Sequence, residues 1–226
     1  MSKNSPFEEN LPKNQANYSP LTPLSFLTQT AEVFPERTAV IHGEIKRSWR
    51  ETLKRCTRLA SALKKKGVVQ GTTVSVMAPN VPELLEALFG VLMTGGVLNA
   101  LNIRLEVETL AYILEHGESQ VLITDRDFSP VIKKVLQQLE DHPLVIDIDD
   151  PMAEGGELLG EMDYEAFLKT GDEDFEWNTF HYYHDHLDNG VDFCEAGRIQ
   201  HFDFDYWVAG GPSCCLLYTS DAADER

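Results

Sequence analysis

An α/β fold with a parallel sheet and crossover helices is predicted by three features of residues 72–125. Short β-branched runs at Val74–Ala78, Val97–Leu101 and Val121–Thr124 have the length and composition of buried strands. The segments between them, Leu84–Leu92 and Val107–Glu115, have the length and apolar content of helices. The links joining them are short, and a strand, helix, strand, helix, strand order with short links favours parallel pairing through crossover helices.

The elements follow in order. Residues 1–19 read as a flexible polar arm. Thr22 and Pro23 open a helix over Leu24–Val33, which Pro35 breaks. Thr38–His42 and Lys46–Trp49 form the two strands of a hairpin turned at Gly43 and Glu44. Arg50–Lys66 is an amphipathic helix whose face is Leu53, Cys56, Leu59, Ala60 and Leu63, which makes Cys56 a core residue. Lys64, Lys65 and Lys66 fill its last turn ahead of Gly67, as the negative end of a helix favours. In the central run Asn80 is placed to cap the next helix, with Pro82 near its first position and Glu83 in its first turn. Gly95 and Gly96 end that helix and hold no phosphate, because no helix starts from them. Ser129–Leu139 is a further helix, Leu144–Ile148 a further strand, Asp149–Met162 an acidic loop, and Asp163–Leu168 a short helix. A sheet that stopped after Leu144–Ile148 would expose apolar surface and self-associate non-specifically.

The 226 residues carry 19 Lys and Arg against 37 Asp and Glu, a formal charge of −18. That balance disfavours nucleic acid and anionic membranes as partners. The excess is uneven: Glu140–Glu176 holds fourteen acidic residues and one base, Lys169, the pattern of a solvated surface. No signal-peptide pattern opens the chain, and no apolar run reaches the roughly 18 residues that span a bilayer. His42 and His116 lie at turns and are expected to be solvated or capping. In residues 178–226, expected to be irregular, His181, His184 and His186 with Asp185 and Asp188 have no spacing that makes a closed metal site, so no metal is expected. Cys194, Cys214 and Cys215 give no ordinary disulfide framework.

Four stretches, Phe26–Gly43, Ser48–Leu105, Glu108–Asp125 and Leu159–Trp177, together resemble the N-terminal portion of the adenylate-forming, AMP-producing acyl-CoA synthetases. They are most similar to plant acyl-activating enzymes of the short-chain and benzoate–CoA ligase type. Ser48–Leu53 and Leu92–Asn102 stand where that family has its first two motifs. The resemblance implies an incomplete N-terminal AMP-binding domain over residues 20–177. It also implies a parent chemistry in which a carboxylate attacks MgATP, releases pyrophosphate, and passes as acyl-adenylate to the thiol of coenzyme A. Asn102 and Arg104, at a strand end, are the candidate substrate-binding residues, with Arg104 placed to meet coenzyme A phosphates; no catalytic residue is assigned.

The family's Gly/Ser/Thr-rich phosphate loop is expected shortly after Trp177, where the chain reads NTFHYYHDH instead. The run CLLYTSDAADE, Cys215–Glu225, resembles a translated transposon-end sequencing adapter, so residues 178–226 are expected to be non-homologous. The reading is therefore a ligase fragment, inactive as it stands, that binds ATP, Mg and coenzyme A poorly if at all. The alternative is a stand-alone α/β binding or regulatory module without catalysis. Location reads as cytoplasmic or peroxisomal, since a peroxisomal address is carried at the C-terminus.

Overall fold

The computed structural model describes residues 22–177 and, as backbone, two strands at 190–195 and 198–203. The arm and the histidine run lie outside the described residues. The first helix, α1 (Pro23–Val33), starts from a reciprocal cap: Thr22 Oγ1 accepts the Ser25 N–H and Ser25 Oγ accepts the Thr22 N–H. The hairpin follows as β1 (Thr38–His42) and β2 (Ile45–Ser48), paired antiparallel. Trp49, read as the end of the return strand, instead begins α2 (Trp49–Lys65). The cause is a second capping box, in which Ser48 and Glu51 exchange backbone-to-side-chain hydrogen bonds.

The sheet is built from β3 (Thr73–Met77), β4 (Val97–Ala100), β5 (Ser119–Asp125) and β6 (Leu144–Ile148), all parallel. Its helices are α3 (Pro82–Thr94), α4 (Val107–His116), α5 (Ser129–Leu136) and α6 (Tyr164–Lys169), with a 3₁₀ turn over Arg126–Phe128 leading into α5. Asn80 does not cap α3. The cap position falls at Val81, extended at φ −104°, because the residue before a proline avoids helical backbone and Pro82 already holds the first helical position. The order across the sheet is β7-β6-β5-β3-β4-β8-β9, where β7 is Met162–Asp163, β8 Gly190–Glu195 and β9 Arg198–Asp203.

Two of those strands change the expectation. The edge of β6 is not bare: the two-residue β7 pairs with it in parallel, a short edge of the kind that discourages pairing with other chains. The segment expected to be wholly irregular forms a hairpin, β8 with β9, closing with Glu195 opposite Arg198 and meeting β4 at Leu98 and Phe193.

Alternation along β5 sorts the helices into layers. Val121 and Ile123 face the core shared with α2, α3 and α6, whereas Leu122 faces the core shared with α4 and α5. The chain therefore crosses one face between β3 and β4 and the other between β4 and β5, which puts the topological switch between the carboxyl ends of β3 and β5. A third cluster packs Leu24 and Leu27 of α1 on Cys56, Ala60, Leu92 and Met93, with Phe175 and Trp177 returning against it. Inside the sheet a polar row crosses three strands: Asn99 Nδ2 donates to Ser75 Oγ at 3.0 Å, and Ser75 Oγ meets Ser119 Oγ at 2.6 Å. The buried Ser75 and Asn99 satisfy one another, and with the half-buried Ser119 they fix the register of β4, β3 and β5.

Two glycines of α3 have specific duties. Gly95 closes the helix at φ +80°, a left-handed conformation that costs other residues about 1–2 kcal/mol. Gly90 sits at the crossing with α2, where an added Cβ would stand 2.8 Å from Leu59 Cδ2 and 3.1 Å from the Cys56 carbonyl. Gly90→Ala sets a helix-propensity gain of about 1 kcal/mol against overpacking of about 1–3 kcal/mol. Net destabilisation by urea denaturation is expected, and a net gain would show that the crossing is looser than described.

Candidate functional site

The pattern of α3 contains a contradiction that the structure resolves. Leu84, Leu85 and Leu88 are only half-buried, yet Glu83 and Glu86 are buried, Glu86 to 1% exposure. Residues three apart share a helix face, and this face turns toward two arginines. Arg47 Nη1 donates to Glu86 Oε1 at 2.7 Å, and Arg55 Nε donates to the same oxygen at 2.6 Å. Glu86 Oε2 accepts the Tyr164 hydroxyl at 3.0 Å. Arg55 then grips Glu165 in a two-point contact, Nη1 to Oε2 at 3.0 Å and Nη2 to Oε1 at 2.5 Å. Arg47 Nη2 reaches Glu83 at 3.4 Å.

One carboxylate thus ties β2, α2, α3 and α6. Burial pushes the Glu86 carboxyl up against the pull of both guanidiniums. The opposing charges raise the Arg55 guanidinium despite its own burial, and Glu165 is held below the usual carboxylate range by its bond to Arg55. Tyr164 is pushed well up by burial and by Glu86, so its hydroxyl stays protonated and donates.

The cluster walls a cleft of about 330 Å³ at the carboxyl end of β6, bounded by Arg47, Arg55, Glu83, Asp149, Asp150 and Glu165 among others. Its guanidiniums are engaged by carboxylates, so neither is free to clamp a phosphate. Asp150 accepts from the Met152 N–H at 3.0 Å and meets His42 Nε2 at 2.9 Å. His42 is therefore held by a carboxylate from across the fold rather than left to solvent or used as a cap. Asp125, at the end of β5 by the switch point, accepts the Asp127 N–H on Oδ1 while its Oδ2 is buried without a partner. Among the described residues no three His, Cys, Asp or Glu side chains converge to hold a metal ion. Cys56 is buried and its thiol is pushed well up, which makes it inert.

The structure does not bring Asn102 and Arg104 to this cleft. They follow β4 on the same carboxyl edge of the sheet, where Asn102 Oδ1 accepts the Arg104 N–H at 2.9 Å and Arg104 is exposed. The lysines ending α2 behave as a helix end: Lys65 Nζ donates to the Thr170 carbonyl at 2.7 Å and pairs with Asp172. His116 stacks on Tyr112, ring centroids 5.3 Å apart. The residues that sequence reasoning missed are Arg47, Arg55, Glu83, Glu86, Tyr164 and Glu165. The available signal was the pair of glutamates three apart inside a helix otherwise apolar on nearly every side.

Comparison with known proteins places this geometry. The family model of the AMP-binding enzymes matches residues 27–220, extending past Trp177. The chain is 42% identical over 181 residues to a peroxisomal acetate/butyrate–CoA ligase of Arabidopsis thaliana, covering 75% of the chain and 32% of the ligase. It is 41% identical over 181 residues to an acetate–CoA ligase of Humulus lupulus, with the same coverage of 75% and 32%. The chain thus spans about a third of the length of these relatives. Among solved structures, a benzoate–CoA ligase from Burkholderia xenovorans superposes with a TM-score of 0.65 at 18% identity, over 82% of this chain and 35% of that one. That likeness establishes the fold.

Substitutions at two positions test the electrostatics. Glu86→Ala leaves two buried guanidiniums without their shared acceptor and is expected to cost about 3–5 kcal/mol; Glu86→Gln, which keeps the shape, should cost less. A loss below about 1 kcal/mol for the alanine variant in urea denaturation would contradict the geometry. Asp125 has the opposite sign. Burial raises its carboxyl, with Asp127, Asp150 and Glu83 adding to the rise and the Asp127 N–H opposing it. A carboxyl raised on folding contributes fully in acid, below its unfolded value of about 4, and that contribution is lost as pH climbs through the folded value. Asp125→Asn is therefore expected to gain about 1 kcal/mol at neutral pH and close to nothing at about pH 3. Equal effects at both values would refute the assignment.

Proposed function

Because the chain belongs to the AMP-binding enzyme family, we propose that it is the N-terminal portion of an ATP-dependent carboxylate–CoA ligase. The complete enzyme would convert a carboxylate and ATP to acyl-AMP and then to acyl-CoA. The observation that carries this reading is the 42% identity to an acetate/butyrate–CoA ligase across three quarters of the chain. Residues 20–177 are proposed as the partial AMP-binding domain and residues 1–19 as an arm; the family match, running to residue 220, also takes in most of residues 178–226.

The described residues form a scaffold. They present the carboxyl edge of a parallel sheet, where such folds take ligands, but contain no Gly/Ser/Thr-rich phosphate loop and no convergent carboxylates for magnesium. They do not fit MgATP by themselves, and no step of adenylation is assigned to them. Residues 1–226 alone are accordingly proposed to be inactive. Arg104, exposed at the end of the β4 strand and in no salt bridge among the described residues, is proposed to meet the phosphates of coenzyme A, with Asn102 shaping its loop. The carboxylate is proposed to be small or aromatic, after the relatives named for acetate, butyrate and benzoate. Several relatives are named as peroxisomal, and a peroxisomal or cytoplasmic site is proposed here. No helix among the described residues is long and apolar enough to cross a membrane.

A hybrid tests the reading: residues 1–177 joined to the remaining length of the Arabidopsis ligase, assayed by ATP–pyrophosphate exchange with acetate and butyrate. Exchange by the hybrid and none by the 226-residue chain is expected. A folded hybrid without exchange, or exchange by the 226-residue chain alone, would overturn it. In the active hybrid, Arg104→Ala is expected to raise the KM for coenzyme A about tenfold, the equivalent of 1.4 kcal/mol, while leaving pyrophosphate exchange unchanged; an unaltered KM removes Arg104 from the site.

A further inference from the structure

Four polar residues of α2, Lys54, Arg58, Ser61 and Lys65, are spaced so that they share one face of the helix. By pattern alone such a stripe is a solvated face, but the structure lays the segment after α6 along it. Lys65 Nζ donates to the Thr170 carbonyl at 2.7 Å and pairs with Asp172 Oδ2 at 2.9 Å. The Asp172 N–H donates to Ser61 Oγ at 3.0 Å, and the Ser61 hydroxyl donates to Asp172 Oδ2 at 3.3 Å. Glu173 is held next, by Arg58 and by Lys54 Nζ at 3.1 Å. Gly171 makes the approach possible: a Cβ there would overlap the Arg58 carbonyl and stand 3.1 Å from the Ala62 nitrogen, both backbone groups of α2. Phe175 and Trp177 then pack on the cluster shared by α1, α2 and α3.

The direction of travel carries the inference. The first half of α2 lies level with the start of α3 at the carboxyl edge of the sheet, where Arg55 meets Glu86, and its far end leads into β3 at the amino edge. Helix α6 descends in the same sense, from Glu165 on Arg55 to Thr170 beside Lys65. The segment Gly171–Trp177 reverses it. Its contacts pass from Lys65 and Ser61 to Arg58 and Lys54, back toward the carboxyl edge, where parallel α/β sheets take ligands. The ion pairs along this track are exposed, and exposed pairs add little stability. What the track supplies is register.

We propose that Gly171–Trp177 is a positioning strap for adenylation. Seated on the α2 track, it returns the chain to the carboxyl edge and fixes the point from which the ATP-binding polypeptide of the complete ligase departs. Gly171, Ser61 and Glu173 are its positioning residues. The inference rests on the ligase reading above. Length agrees with it: the chain matches 32% of the acetate/butyrate–CoA ligase, so most of that enzyme has to be placed against this scaffold.

The hybrid of residues 1–177 with the Arabidopsis ligase provides the test. Glu173→Lys sets a like charge against Lys54 and Arg58. It is expected to lower kcat/KM for ATP–pyrophosphate exchange at least about tenfold, since a displacement of about 1 Å can cost about 100-fold, while the melting temperature moves by less than about 2 °C. Adding Lys54→Glu and Arg58→Glu to Glu173→Lys is expected to restore most of the activity. Gly171→Ala, which lifts the backbone without changing charge, should lower activity as well. In the 226-residue chain, which needs no hybrid, the Asp172 amide is expected to be protected from hydrogen exchange and to lose that protection at least about tenfold on Glu173→Lys. An active hybrid indifferent to Glu173→Lys, no recovery on reversing the α2 charges, or an unprotected Asp172 amide in the unaltered chain overturns the strap and leaves the ligase reading standing. A folded unaltered hybrid without pyrophosphate exchange overturns the ligase reading and the strap's role in adenylation with it.

Discussion

A carboxylate buried to 1% exposure must be met by enough positive charge and hydrogen bonding to offset its lost hydration, and Glu86 imposes that condition on four elements at once. Arg47 arrives from β2, Arg55 from α2 and Tyr164 from α6, all converging on the two oxygens of one side chain of α3. Apolar packing already sets α2 against α6, and α2 follows the hairpin without a loop. The ionic junction adds a directional constraint to that packing. Removing one member leaves the others charged and dry, so the geometry is specified more sharply than its net contribution to stability would suggest.

The same junction decides what the cleft beside it can do. Arginines at the edge of a parallel sheet ordinarily invite a phosphate, but here the forks are filled by Glu86, Glu83 and Glu165. The cluster positions a scaffold. Chemistry of the ligase type needs a phosphate-cradling loop and a mobile cation near the developing charge, and the described residues offer the sheet edge on which such parts would be mounted. The acidic surplus of Glu140–Glu176 divides in the same way: Glu157, Glu165, Asp172 and Glu173 hold Lys133, Arg55, Lys65, Lys54 and Arg58.

The fold was legible because its signals are local. Period and length located each α-helix of residues 22–169 and every strand but the two-residue β7, and parallel order followed from their alternation. Errors fell where a neighbouring residue overruled the obvious one. Pro82 moved the cap from Asn80 to Val81, and Glu51 drew Trp49 into the helix by completing a cap with Ser48. The junction was not legible from apolar pattern, because periodicity registers Leu84, Leu85 and Leu88 as core and passes over Glu86. The true burial is inverted, with leucines at the rim and glutamates inside. Pairing between residues 47, 55, 86 and 165 is a tertiary fact, set by how α2 and α3 cross at Gly90. His42 and Asp150, 108 positions apart, met for the same reason.

The central claim is that Glu86, Arg47 and Arg55 act as one unit, and a thermodynamic cycle measures that directly. Glu86→Leu, Arg47→Met and Arg55→Met would be compared singly and combined by urea denaturation, all in a Glu83→Gln background so that the buried Glu83 is not left charged without its arginine partners. The account predicts that Glu86→Leu alone loses several kcal/mol and that the triple variant recovers most of the loss, since an apolar replacement of a whole buried ionic group removes the uncompensated charge. Additive losses, with the triple variant as unstable as the sum of its parts, would contradict it.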